Sequence, residues 1–152
     1  MKVLVAMDGS RAGMAALRFA ARLVGTRPVE LTVVTIGVDG DAHYQRKSRS
    51  SSDKANERWR ANRALDSAER ELARLNVGGD VRPFSARARE AIPEAIAREA
   101  ERLKADLVVV GSEPRDELSE WVLGGLALRL IYIVQRPVAV IRAPRRRRSH
   151  AA

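Results

Sequence analysis

Gly111, Gly124 and Gly125 have the types and spacing from which an anion site can be built. An apolar run ends at Val110, Gly111 opens a turn and a loop, and a second apolar run is entered through Gly124 and Gly125. Backbone at such a strand-to-helix junction presents free N–H groups, which attract phosphate. The loop side chains oppose that chemistry. Between Ser112 and Glu120 stand Glu113, Asp116, Glu117 and Glu120 against the single Arg115, a net charge of −3. Each close phosphate–carboxylate approach costs on the order of 1 kcal/mol in a watery dielectric. A few such terms remove a micromolar affinity, which is only about 8 kcal/mol in total. Pro114 adds a missing N–H and a fixed φ. A Mg²⁺ ion would reverse the electrostatic sign, because carboxylates are its ligands.

Asp8 closes the first apolar run and is followed by Gly9 and Ser10. A carboxylate there can bond a nucleoside hydroxyl or cap the helix that follows, and the residue type leaves both open. Ile36 ends the second apolar run, where an apolar side chain serves equally to pack against a base or to fill a core. For catalysis the chain has little to offer. It contains no cysteine, and its two histidines, His43 and His150, lie in polar segments far apart. Thiolate metal sites and disulfides are excluded, and a histidine-based triad has almost nothing to be built from. The expectation is a protein that binds rather than an enzyme.

Those residues must be positioned by one domain, since 152 residues suffice for a single core. The opening run Val3 to Met7 is too short for a signal-peptide core, and the run from Trp121 to Val134 contains Arg129. The latter is shorter than the roughly 20 residues a bilayer-crossing helix needs. A cytoplasmic protein without membrane partners is expected. The net charge of +9 is uneven. Residues 43–63 hold seven cations against Asp53 and Glu57, a surplus of +5, and the tail from Arg142 adds five arginines without an acid. The body is therefore close to neutral. The run Arg145 to Arg148 reads as a disordered, solubilising tail within residues 143–152, and the lack of interleaved aromatics argues against nucleic acid as a partner.

Short apolar runs at Val3–Met7, Leu31–Ile36, Asp106–Val110 and Val138–Ile141 are rich in β-branched residues and nearly continuous. Strands buried on both faces of a parallel sheet read this way. A weaker strand, Gly79–Ser85, contains Pro83 and is expected at a sheet edge. Helical stripes alternate with them: Ala16, Phe19, Ala20, Leu23 and Val24; Ala61, Leu65, Ala68, Leu72 and Leu75; Ile92, Ile96, Ala100 and Leu103; and residues 122–134. Gly37 to about Asp53 reads as a loop. The order predicts a single doubly wound α/β domain, an open parallel sheet with helices on both faces. On the last helix Leu126, Ala127, Leu130, Ile133 and Val134 make the core stripe. Leu128, Ile131 and Tyr132 fall on the opposite side and predict a surface for a protein partner.

The strand end Val5 to Ser10, the stretch Ala105 to Ser112, the triplet Leu123-Gly124-Gly125 and the last strand Arg136 to Ile141 together resemble the universal stress protein family over residues 1–142. The resemblance implies a five-stranded sheet of order 3-2-1-4-5 and a homodimer formed through the last strand, here residues 137–141. In one branch of that family it also implies ATP bound at the carboxyl edge of the sheet. That branch carries a glycine, two residues, a second glycine, nine residues, then glycine followed by serine or threonine. Gly111 matches the first position and Gly124 the third, but Pro114 stands at the second, Gly125 at the hydroxyl position, and Glu117 where a further glycine is usual. Asp8 matches an acidic position near the adenosine, and Ile36 an apolar position against the base. The cofactor-binding candidates are thus Asp8, Ile36, Gly111, Gly124 and Gly125 in a degenerate loop that binds ATP weakly or not at all. ATP with Mg²⁺ and slow hydrolysis, or a basic-tailed polyanion binder, are the alternatives.

Overall fold

A computed structural model describes residues 1–35, 51–84, 90–113 and 125–143. Strands and helices alternate: β1 Lys2–Met7, α1 Arg11–Val24, β2 Glu30–Thr35, α2 Ser51–Leu75, β3 Asp80–Pro83, α3 Ile92–Leu103, β4 Leu107–Ser112, α4 Gly125–Ile133 and β5 Val138–Arg142. All four strand pairings are parallel, and the order is β3-β2-β1-β4-β5. β1 is the centre, with Val3 to Ala6 facing Leu31 to Val34 on one side and Leu107 to Val110 on the other.

The unbroken apolar runs are explained by burial on both sheet faces. Val3, Val5, Met7, Leu31, Val33 and Val109 join α1 and α2 in one core layer. Leu4, Ala6, Val34, Val108 and Val110 join α3 and α4 in the other. Helix ends follow local chemistry. The Ser10 hydroxyl accepts from the Gly13 N–H at the start of α1. Pro93 sits in the first turn of α3, where its missing N–H costs nothing. Lys104 (φ 52) and Asn76 (φ 54) take left-handed conformations that end α3 and α2.

Packing of α1 on α2 is fixed by a buried acid. Glu71 accepts from Arg18 Nε at 2.6 Å and from Arg74 at 2.7 and 3.0 Å. Hydrogen bonds from Arg74 and then Arg18 hold its carboxyl at about 2, well below the usual carboxylate range.

Several element boundaries move relative to expectation. β4 runs on through Gly111 and Ser112, so the turn expected at Gly111 is strand, paired with Ile141. α2 begins at Ser51, which shortens the expected loop, and Trp59 lies inside the helix, 58% exposed. β3 is shorter than Gly79–Ser85 but does lie at the sheet edge. α4 begins at Gly125 and ends at Ile133.

Candidate functional site

In an open parallel sheet the ligand crevice forms at the carboxyl ends of strands where the winding reverses. Here that is between β1 and β4, from which the chain winds outward in both directions. Asp8 follows directly on β1 and is exposed. Its Oδ1 accepts from the Ser10 N–H at 2.9 Å across a turn in which Gly9 has φ 81. A positive φ is what glycine allows at little cost. The helix cap itself is Ser10, so Asp8 braces the turn that presents the cap rather than capping α1.

The first turn of α1 lies hard against the end of β4. A Cβ on Gly111 would stand 2.3 Å from the Ala12 carbonyl carbon and 2.4 Å from its oxygen. Helix–strand packing alone therefore demands glycine at this position. Gly13 is nearly as tight, with Asp8 Oδ1 and Met7 Cβ both 3.1 Å from where its Cβ would be. Asp8 and Gly111 are thus joined through the backbone of residues 12 and 13.

Two donors of that helix turn are already taken. Gly13 N–H bonds Ser10 Oγ at 3.0 Å, and Ala12 N–H donates to Glu113 Oε1 at 3.1 Å across 101 residues of chain. A carboxylate at a helix amino terminus is well placed against the partial positive charge there. A phosphate arriving at this turn would have to displace Glu113 or sit beside it. Among the described residues no three histidine, aspartate or glutamate side chains converge as a metal would need.

Gly125 opens α4, and none of the described residues lies within 4 Å of where its Cβ would be, so their packing does not require glycine there. Ile36 and Gly124 lie outside the described residues, as do Pro114 and Glu117. One polar atom at this edge went unnoticed in the sequence. Thr35, the last residue of β2, is fully buried and its hydroxyl has no hydrogen-bond partner among the described residues. The only signal was a second threonine, after Thr32, within the apolar run Leu31–Ile36. A groove of about 730 Å³ lies at the opposite, amino edge, lined by Met1, Lys2, Pro28, Val29, Glu30, Lys104 and Asp106. Its polar groups partly satisfy one another, since Asp106 accepts from Lys2 N–H at 2.7 Å and Lys2 Nζ stands 4.0 Å from Glu30. No helix among the described residues is long and apolar enough to cross a membrane.

Comparison with known proteins agrees with this architecture. The family model described as "Universal stress protein family" matches residues 1–142. A universal stress protein of Mycobacterium tuberculosis is 30% identical over 99% of this chain, which spans 50% of that relative's length. A crystal structure from the universal stress protein family of Burkholderia pseudomallei is 27% identical, covering 92% of this chain and 94% of that one, with a TM-score of 0.68. The universal stress protein of Archaeoglobus fulgidus in complex with dAMP shares the fold at 22% identity, covering 93% and 97% of the two chains, with a TM-score of 0.61. The chain belongs to the universal stress protein family.

Proposed function

We propose that this chain is a cytoplasmic binding and regulatory protein of the universal stress type, not an enzyme, and that its carboxyl-edge site binds ATP weakly or not at all. The observation that carries the reading is the Glu113 carboxylate on the Ala12 N–H. It places a fixed negative charge where an incoming phosphate would need donors. Pro114, Glu117 and Gly125 point the same way from the sequence. Asp8, Ile36, Gly111, Gly124 and Gly125 remain the residues proposed to line the site. The protein acts as a homodimer through residues 137–141, because β5 is an apolar strand at the open edge of the sheet.

A second reading, a nucleotide-binding member using ATP with Mg²⁺, is supported by the dAMP complex of the archaeal neighbour and by the unpartnered Thr35 hydroxyl. Calorimetry separates the two. Titration with Mg-ATP should give a dissociation constant above about 100 μM, an affinity weaker than about −5.5 kcal/mol. Glu113→Gln, which removes the charge and keeps the shape, should tighten it. Low-micromolar binding by the unaltered chain would overturn the proposal in favour of the second reading.

A further inference from the structure

We infer that the amino-terminal half of α2, which carries Trp59 beside Arg63, is a docking surface for single-stranded nucleic acid. This surface is separate from the crevice between β1 and β4 and works whether or not a nucleotide is bound there. Among the described residues the exposed large apolar side chains are Met1, Trp59, Leu128, Ile131 and Tyr132. The last three belong to α4, and Trp59 stands alone on α2.

The place of Trp59 follows from how α2 meets the sheet. Ala68 and Leu72 pack into the core layer with Leu31 and Val33 of β2. Leu72 lies against Gly79, just before β3, with its Cδ1 3.1 Å from where a Cβ on that glycine would be. About two turns earlier, Ala64 is level with Gly9, beyond the end of β1, and its Cβ is 3.4 Å from where a Cβ on Gly9 would stand. α2 therefore crosses the sheet from the carboxyl to the amino edge within residues 64–75. At about 1.5 Å per residue, residues 51–63 extend roughly 20 Å beyond Ala64, with no described strand beneath them.

The composition of this half fits a binding surface better than a core face. Trp59 is its only large apolar residue and is 58% exposed, with Asn62 and Arg63 exposed beside it. The Arg63 guanidinium stacks over the indole, 4.7 Å from the ring centroid. Residues 51–63 hold Lys54, Arg58, Arg60 and Arg63 against Asp53 and Glu57, a surplus of +2, whereas Asp66 and Arg70 further along offset each other. An aromatic ring next to cations stacks a base while neutralising its phosphate. A duplex keeps its base faces stacked inside, and an acidic peptide offers the indole no planar partner. An unpaired strand matches both the ring and the charge. Arg58 and Arg60 flank Trp59 in the sequence, the interleaving that the run Arg145 to Arg148 lacks.

Fluorescence anisotropy of the full chain with labelled oligouridylate and oligodeoxyuridylate of about 20 nucleotides tests this. At physiological salt the dissociation constant should lie between about 1 and 100 μM, the range of sequence-independent binding. Trp59→Ala should weaken binding by about 10-fold or more, and Trp59→Phe, which keeps a ring, by less than about 3-fold. Trp59 is exposed, so an unchanged melting curve checks that both variants fold. Deleting residues 145–152 should leave most of the binding in place. A preference for one of the two strands upholds the inference and identifies the sugar. A Trp59→Ala variant that binds like the unaltered chain overturns it, and loss on the tail deletion would then assign the contact to the tail. Polyglutamate that displaces the strand at equal charge concentration assigns the surface to acidic peptides and also overturns it. Failure of either strand to bind at about 100 μM protein does the same.

Discussion

β3 and β5 each end the sheet, yet they meet the surroundings differently. β3 is four residues long and carries Asp80, Arg82 and Pro83. Phe84 N–H donates inward to Thr35 O, so by alternation the N–H missing from Pro83 is one that would have faced outward. Arg82 is held by Asp80 at 3.1 Å and lies 3.8 Å from Glu99 of α3. Short length, charge and proline are how edge strands are protected from pairing. β5 has none of these in its interior. Its sequence is Val138 to Ile141 followed by Arg142, half-buried except for the arginine. Val108 N–H bonds Pro137 O, so alternation turns the main-chain groups of Val138, Val140 and Arg142 away from β4. One edge is closed by its composition and the other is left able to pair.

The largest effect should come from that difference. Val140→Pro removes a central outward donor, while Val140→Ala trims the same side chain and keeps the N–H. The proline variant should weaken self-association by about 100-fold relative to the alanine variant, close to 3 kcal/mol. Equal association of the two variants would mean that β5 is not the paired edge. Stability and association should otherwise be separable. Glu71→Gln leaves a buried site against two arginines without its charge. Arg18 and Arg74 are 53% and 62% exposed, so solvent screening reduces the loss from the buried-pair range to about 2 kcal/mol. That corresponds to a fall of roughly 5 °C in melting temperature at pH 7, with the dimer dissociation constant unchanged.

The pH dependence has a definite sign. A carboxyl held at about 2, against an ordinary value of 4.5, binds its proton more readily in the unfolded chain. Its stabilisation is complete above about pH 4.5 and fades as pH falls toward 2. The gap between the unaltered chain and Glu71→Gln should therefore close over that window. A gap that persists at pH 2.5 would assign the effect to packing. The smallest effect should come from the guarded edge. Pro83→Val restores one outward donor to β3 and should produce only a few-fold rise in species larger than the dimer at high concentration. A strong shift to such species would show that Pro83 alone guards that edge.

The sequence disclosed only half of what Glu113 does at the carboxyl edge of the sheet. Glu113 was visible as one of four loop acids, but its bond to Ala12 spans 101 residues. The acidic loop character is a property of composition, whereas the position of one carboxylate is a property of the packed edge.

The local parts of the structure were decided by the sequence. Continuous Val-rich runs made β1, β2 and β4 strands buried on both faces, and Pro83 put β3 at an edge. The spacing of Leu128, Ile131 and Tyr132 against Ala127 and Leu130 fixed which side of α4 would lie exposed. Each of these follows from periodicity within a few residues. Gly111 is the opposite case. Its type suggested a phosphate turn, and the structure gives it a second reason in the Ala12 carbonyl 2.4 Å from where a Cβ would stand. Glu71 is read the same way: mid-helix it is an ordinary acid, and only α1 folding back beside α2 buries it between Arg18 and Arg74. Periodicity records which face of an element is apolar, but not which backbone or charge the far end of the chain will bring against it.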